Sequence, residues 1–463
     1  MGKSQEEESD AWRILLFGRN GAELLLVRSP AGLRLPELRI PRWQRIVPNL
    51  NAEAKRLWNL DTVCLFPFDV SRPELAVVNC KYYVMEVCKP EELRRVAPDF
   101  VLLSNLKEAC FADIQDYFAV QQEMGVARAC ASKDCEGPFS EFGAFRKISA
   151  WVEAQLGPLG RHWDGNFRQL QASASFALVQ FQTNHGAVWF KAVGEPNLRE
   201  FPITAHLADR LPRHIPVLLA RHSKWNAWLA LEAEGQDLYS SLNRDHWCRA
   251  ADSLAGLQIA SIENAPEILA AGARDIRIES LLALAVPFFA RVENLMEQQT
   301  KPTPKRLTGE EVKATQQRVI EALLELEAAE IPDTVNHLDL NPGNIFIAPG
   351  KCTFLDWAEA AVGNPFFSME YLRQHFVRTF QGQEDANTAL LISYLDRWRS
   401  ILPAKIVETA LRLAPLTALF AYAASSLPWR LSLSSRPELA GFIRSLMRRM
   451  HRESEELSTS RAA

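Results

Sequence analysis

His337, Asp339 and Asn344 stand in the pattern H-x-D-x-x-x-x-N, and an Asp-Trp pair, Asp356-Trp357, closes the short apolar stretch that follows. Phosphoryl transfer asks a protein for little covalent help and mostly for positioning and charge neutralisation. One carboxylate, Asp339, can accept the proton of an attacking hydroxyl. An amide oxygen, Asn344, and a second carboxylate, Asp356, can hold Mg²⁺ against nucleotide phosphates, because Mg²⁺ takes hard oxygen ligands, keeps several waters and needs few protein groups. His337 is placed to brace the loop through backbone hydrogen bonds. The competing reading is a plain polar loop with Asx turns at Asn341-Pro342-Gly343. A strand pair that ends on an aspartate makes coincidence the weaker explanation.

The elements around this island divide the chain. Residues 1–10 are polar and acidic and read as a disordered tail. From Ala11 to Met124 the pattern is a small α/β domain. Strands are expected at Trp12–Phe17, Glu23–Arg28, Asp61–Phe66, Ala76–Val78 and Tyr82–Cys88, a turn at Arg19-Asn20-Gly21, a short helix at Asn51–Leu60 and a closing helix at Asn105–Met124. Residues 125–150 lack a clear period and read as a linker. Residues 151–235 form a β-rich part, with a hairpin turn at Thr183-Asn184-His185-Gly186 and a helix at Arg199–Arg210. Residues 236–463 are helical by period apart from the island.

With the island in that setting, the sequence resembles the aminoglycoside phosphotransferase and choline kinase group, small-molecule kinases of protein-kinase-like fold. The resemblance runs from His337 to Trp357, then through Glu359 and Gly363-Asn364-Pro365, and covers residues 151–463. The family usually reads H-G-D-x-x-x-x-N, then I-D-W-E and G-D-P. This chain has Leu338 for the glycine, Leu355 for the isoleucine, Ala358 directly after the tryptophan, and Asn364 for the aspartate. The resemblance implies Asp339 as catalytic base and Asn344 and Asp356 as metal ligands. It also implies that Lys191, in the strand Val188-Trp189-Phe190-Lys191, reaches the α- and β-phosphates. Glu200 at the start of the next helix would pair with that lysine, with Glu195 as the alternative partner and an acid favoured by the helix dipole as the competing reading of Glu200. Backbone groups near Leu231–Ala233 would meet the adenine. No G-x-G-x-x-G precedes Lys191; Gln171–Ala177 occupies that place.

The implied fold class is α+β: a protein-kinase-like bilobal fold, with a β-rich N-lobe and a helical C-lobe, preceded by the small α/β domain. That first domain resembles a Nudix domain whose catalytic box is degenerate. Arg56, Asn59 and Leu60 stand where its metal-binding glutamates belong, and only Glu53 is acidic in that helix. Hydrolase activity there is not expected, which leaves ligand sensing, packing against the kinase or dimerisation.

Composition bounds the function further. The 463 residues suggest about three domains or lobes at roughly 150 residues each, and the net charge of −4 carries no nucleic-acid footprint. The apolar runs Leu281–Ala290 and Ala414–Ala424 fall short of the ~18 residues of a spanning helix. The eight cysteines are scattered, and the pair Cys130 and Cys135 is a weak metal signal, so free thiols in a reducing, cytoplasmic setting are expected. There is no H-E-x-x-H and no G-x-S-x-G. The expected activity is transfer of a phosphate from ATP or GTP, with Mg²⁺, to a hydroxyl of a small molecule, without nucleic-acid or membrane partners. A catalytically silent pseudokinase fused to an inactive Nudix-like module is the alternative. Acceptor and oligomeric state are left open.

Overall fold

The structure is a computed structural model, and it describes residues 9–18, 23–68, 81–89, 93, 100–103, 111–121, 137–426, 429 and 437–462. Contacts divide the chain into two units, Met1–Phe201 with Val217–Glu232, and Pro202–Pro216 with Ala233–Ala463. The fold class is mixed α+β, and each unit has its own sheets.

The first unit contains two sheets. One is mixed: Ser9–Gly18 runs parallel to Lys81–Val87 and antiparallel to Glu23–Ser29 and Glu37–Pro41. The helix Ile46–Trp58 packs on it, ending at Asn59 in the left-handed conformation (φ 54°). Two expectations change here. Ser9 and Asp10 belong to the first strand rather than to a tail, because they pair with Pro41 and Ile40 and Asp10 forms ion pairs with Arg42 and Lys81. The helix Ala144–Leu156 starts inside the stretch read as a linker. Its apolar residues Ala144, Phe145, Ile148 and Val152 are buried in the core. The Arg19-Asn20-Gly21 turn, the Ala76–Val78 strand and the Cys130/Cys135 pair lie outside the described residues, as do 105–110 and 122–124 of the expected closing helix, whose described part is helical over 114–121.

The second sheet is five-stranded and antiparallel, in the order Leu218–His222, Ala227–Leu231, Gly186–Ala192, Ala177–Thr183, Trp163–Ala172. The Thr183–Gly186 turn falls where its residue types place it, with Gly186 at φ 87°. The two sheets share one hydrophobic core that runs from Ile14 and Leu16 to Val188 and Leu229. Gln169, 2% exposed, stitches them together. Its Oε1 accepts from the Cys64 N–H at 2.8 Å, and its amide donates to the Cys64 carbonyl at 2.7 Å. The Tyr83 hydroxyl donates to the Ala172 carbonyl at 2.9 Å. Glu86, also buried, accepts the Gly143 N–H at the start of the 144–156 helix. Replacing Gln169 with Leu would leave both peptide groups of Cys64 unpaired, and is expected to lower stability by about 2–3 kcal/mol in denaturant unfolding.

The second unit is helical around two small sheets. Ile345–Ala348 and Lys351–Phe354 form a hairpin, joined at its edge by Gln236–Asp237. Gly235 lets that edge close: at φ +91°, a Cβ there would stand 2.0 Å from the Ile347 carbonyl oxygen. Thr334–His337 pairs with Ala360–Gly363, which runs parallel to Arg274–Ile276. The helix Ala404–Ser425 has the length and apolar character of a membrane span, with a mean hydropathy of 1.3. However, 61% of that window is buried in the unit, and Leu413, Phe420 and Ala424 sit in its core, so it is a core helix here.

Candidate active site

In the first unit, Lys191 lies in the third strand of the five-stranded sheet, between Leu178 and Trp228. Its Nζ is 2.5 Å from Glu200 Oε1, and Glu200 is 1% exposed at the start of the helix Glu200–Arg210. Glu195 is exposed and makes no ion pair among the described residues, so Glu200 is the lysine's partner. The ammonium also lies 5.7 Å from the Phe176 ring and 5.6 Å from the Trp228 ring. These aromatic neighbours carried no signal in the sequence. The turn in place of a glycine loop is tight: Ser173 N–H donates to the Phe176 carbonyl at 2.8 Å, and Phe176 N–H to Ser173 Oγ at 3.0 Å. Gly194 gives it room, since a Cβ there would come within 2.3 Å of Ser175 Cβ. Leu231 ends its strand with its N–H on the Val217 carbonyl, whereas Ala233 falls in the second unit.

The second unit gathers His337, Asp339, Asn344 and Asp356. Asn344 Nδ2 donates to the Asp339 carbonyl at 3.0 Å, and the Leu355 N–H donates to the Asn344 carbonyl at 2.8 Å, which ties the loop to the residue before Asp356. His337 Nε2 donates to the Leu355 carbonyl at 2.8 Å, and its ring packs on Trp357. Asp356 is exposed and left-handed at φ 64°, a conformation that costs a non-glycine residue energy and recurs at functional sites. With its nitrogen engaged, Asn344 keeps Oδ1 for a ligand. An amide oxygen and a carboxylate suit Mg²⁺, whose remaining positions water and phosphate fill. Among the described residues no group of three or more His, Cys, Asp and Glu could hold a metal.

A buried polar network unread in the sequence positions this loop. Asn336 donates to the Gly363 carbonyl at 3.0 Å and accepts from the Ser368 hydroxyl at 2.8 Å, and Ser368 Oγ in turn accepts the His337 N–H at 2.8 Å. Asn364, which replaces the usual aspartate, accepts the Phe366 N–H at 3.0 Å at the start of the helix Phe366–Thr379. An amide oxygen does that work as well as a carboxylate. Two tyrosines flank Asp339. The Tyr371 hydroxyl lies 3.4 Å from Asp339 Oδ1, a long contact, and burial followed by the Asp339 charge pushes its pKa up. Tyr422 is raised by burial and then by the charges of Glu359 and Asp339. Nothing in the spacing of either tyrosine marked them.

His375, one turn beyond Tyr371, is pushed down to about 4 by burial and by the Arg378 charge. It is neutral at pH 7. The unfolded chain holds that proton up to its ordinary value of 6.5, so the unfolded state binds more protons between the two values and stability falls as pH drops through that window. A His375→Gln protein should show a flatter unfolding midpoint between pH 6.5 and 4 than wild type; parallel profiles would remove His375 as the source.

The phosphotransferase enzyme family matches residues 166–401, just over half of the chain, a span that includes Lys191, Glu200, Leu231, Ala233, His337, Asp339, Asn344 and Asp356. The chain belongs to the phosphotransferase enzyme family. As a family member it is a small-molecule kinase. Solved structures similar to it include a macrolide 2′-phosphotransferase from Brachybacterium faecium, with 16% identity, a TM-score of 0.42, and coverage of 64% of this chain and 97% of that one. A choline kinase from Cryptosporidium parvum shares 11% identity at a TM-score of 0.46, covering 64% and 90%. A putative aminoglycoside phosphotransferase from Ralstonia eutropha shares 12% at 0.41, covering 66% and 98%. A comparison with curated proteins found no match.

Proposed function

We propose that this phosphotransferase moves the γ-phosphate of ATP or GTP to a hydroxyl of a small molecule. Asp339 accepts the hydroxyl proton as the acceptor oxygen bonds to the γ-phosphorus and the bond from that phosphorus to the β,γ-bridging oxygen breaks. Lys191, held by Glu200, binds the α- and β-phosphates, and backbone groups at Leu231 and Ala233 face the base. Asn344 and Asp356 would hold Mg²⁺, which when bound supplies positive charge against the phosphates. His337 positions the loop through the Leu355 carbonyl. The observation that carries this reading is the hydrogen-bonded unit of Asp339, Asn344 and Leu355-Asp356 inside the family-matched segment.

The N-terminal sheet is proposed to be Nudix-like and without hydrolase activity. The positions of its metal-binding glutamates hold Arg56, Asn59 and Leu60, and the core it shares with the five-stranded sheet supports a structural part for it. A cytoplasmic setting, and no nucleic-acid or membrane partner, belong to the same reading. Calorimetric titration with ATP and with GTP, each with and without Mg²⁺, tests it. Metal-dependent binding in the micromolar to millimolar range is expected. No binding of either nucleotide would sink the kinase reading and favour a silent ligand-binding protein.

A further inference from the structure

Beside the proposed base the second unit holds a cavity of about 220 Å³. Leu338, adjacent to Asp339, and Tyr371, whose hydroxyl points to the Asp339 carboxylate, are part of its wall. Its ionised groups are Glu370, Arg378 and Arg449. Glu370 is already spent: Arg373 donates to both of its oxygens, at 2.7 and 2.9 Å, and Gln374 adds a third bond at 2.9 Å. Arg378 makes one bond, from Nε to the Gln374 carbonyl at 3.0 Å. Neither Arg378 nor Arg449 makes an ion pair among the described residues, and the neighbouring His375 is neutral at pH 7. The carboxylate nearest in sequence to Arg449 on its helix is Glu453, which feels its charge without pairing with it.

We infer that the acceptor carries an anionic group, a carboxylate or a phosphate, which Arg378 and Arg449 bind while its hydroxyl faces Asp339. This rests on the kinase reading and specifies its substrate class. A guanidinium without a carboxylate partner is suited to an incoming carboxylate or phosphate, which it meets with paired, charge-assisted hydrogen bonds. A cationic acceptor would instead bring a third positive charge to two guanidiniums that make no ion pair among the described residues. Tyr371 and Arg378 lie seven residues apart on one helix, about 10 Å along its axis. The long Arg378 side chain bridges part of that spacing, which leaves room for a small acceptor with a hydroxyl at one end and an anion at the other.

The test uses the full chain with Mg²⁺ and the nucleotide that calorimetry selects. Glycerate, glycerol 3-phosphate and glucose 6-phosphate are offered as anionic acceptors, and choline, ethanolamine and kanamycin as cationic ones, with products read by mass spectrometry. Phosphorylation in the anionic set is expected, with Arg449→Gln raising the acceptor KM at least about tenfold, whereas Arg449→Lys, which keeps the charge but not the paired hydrogen bonds, recovers part of it. Turnover confined to the cationic set, or an unchanged KM in Arg449→Gln, would overturn the inference. In parallel, inorganic phosphate is titrated calorimetrically into wild type and into the Arg378→Gln, Arg449→Gln double variant. Loss of a millimolar binding event in the double variant supports the inference even if no acceptor in the panel turns over, and identical isotherms overturn it. Failure to bind nucleotide would instead overturn the kinase reading, and the phosphate titration would still report on the cavity.

Discussion

An Asp339→Asn protein is expected to lose turnover by about 10²–10⁴-fold, the usual contribution of a positioned base, while still binding nucleotide. The substitution keeps the size and one oxygen of the side chain but removes the lone-pair site that takes the acceptor proton. The backbone carbonyl that holds Asn344 is untouched, so the loop should stay in place. Initial rates with acceptor, alongside calorimetric nucleotide binding, separate the two effects. Retained turnover would remove Asp339 as the base. Loss of both turnover and binding would mean that the carboxylate serves the loop's structure instead.

The second large effect is expected at Asp356, and two substitutions there divide structure from function. Both Asp356→Ala and Asp356→Gly remove the carboxylate proposed for Mg²⁺ and should abolish metal-dependent nucleotide binding. They differ in backbone cost. At φ 64° the residue is left-handed, a conformation that costs an L-residue roughly 1–2 kcal/mol and glycine almost nothing. Asp356→Gly should therefore unfold at the same or a higher temperature than wild type, and Asp356→Ala at a lower one. A glycine variant that is stable yet does not bind Mg²⁺-nucleotide would show strain maintained for a ligand. Unchanged Mg²⁺-dependent binding in both variants would take Asp356 out of the metal site.

Much of the candidate site was legible because it is local in sequence. His337 to Asp356 spans a single strand, loop and hairpin, so residue type and spacing nearly define its geometry before any tertiary contact forms. The Lys191–Glu200 pair is a strand followed by a helix start, again close in the chain, although choosing Glu200 over Glu195 needed the structure. The Thr183–Gly186 hairpin and the helix Glu200–Arg210 were readable for the same reason: turn chemistry and 3.6-residue periodicity act over a few residues.

What the chain carries in its residue order is thus the proposed chemistry: a carboxylate offered as base, an amide and carboxylate pair offered to a metal, a lysine offered to phosphate, and a first domain with Arg56, Asn59 and Leu60 where a hydrolase box would need glutamates. Tertiary structure decided everything that depends on residues far apart in sequence. Gln169 meets Cys64, Asn336 meets Ser368, and Tyr371 meets Asp339 across 32 residues or more, and no periodicity in either partner announces such a meeting. The two sheets of the first unit merge into one core because each buries an apolar face against the other, which alternation in a strand indicates without naming the face that covers it. The charge of the cavity beside Asp339 was settled in the same way. Counting carboxylates along the C-terminal helices could not show that Glu370 is consumed by Arg373 and Gln374 while Arg378 and Arg449 make no ion pair among the described residues, because pairing is set by which helices pack together.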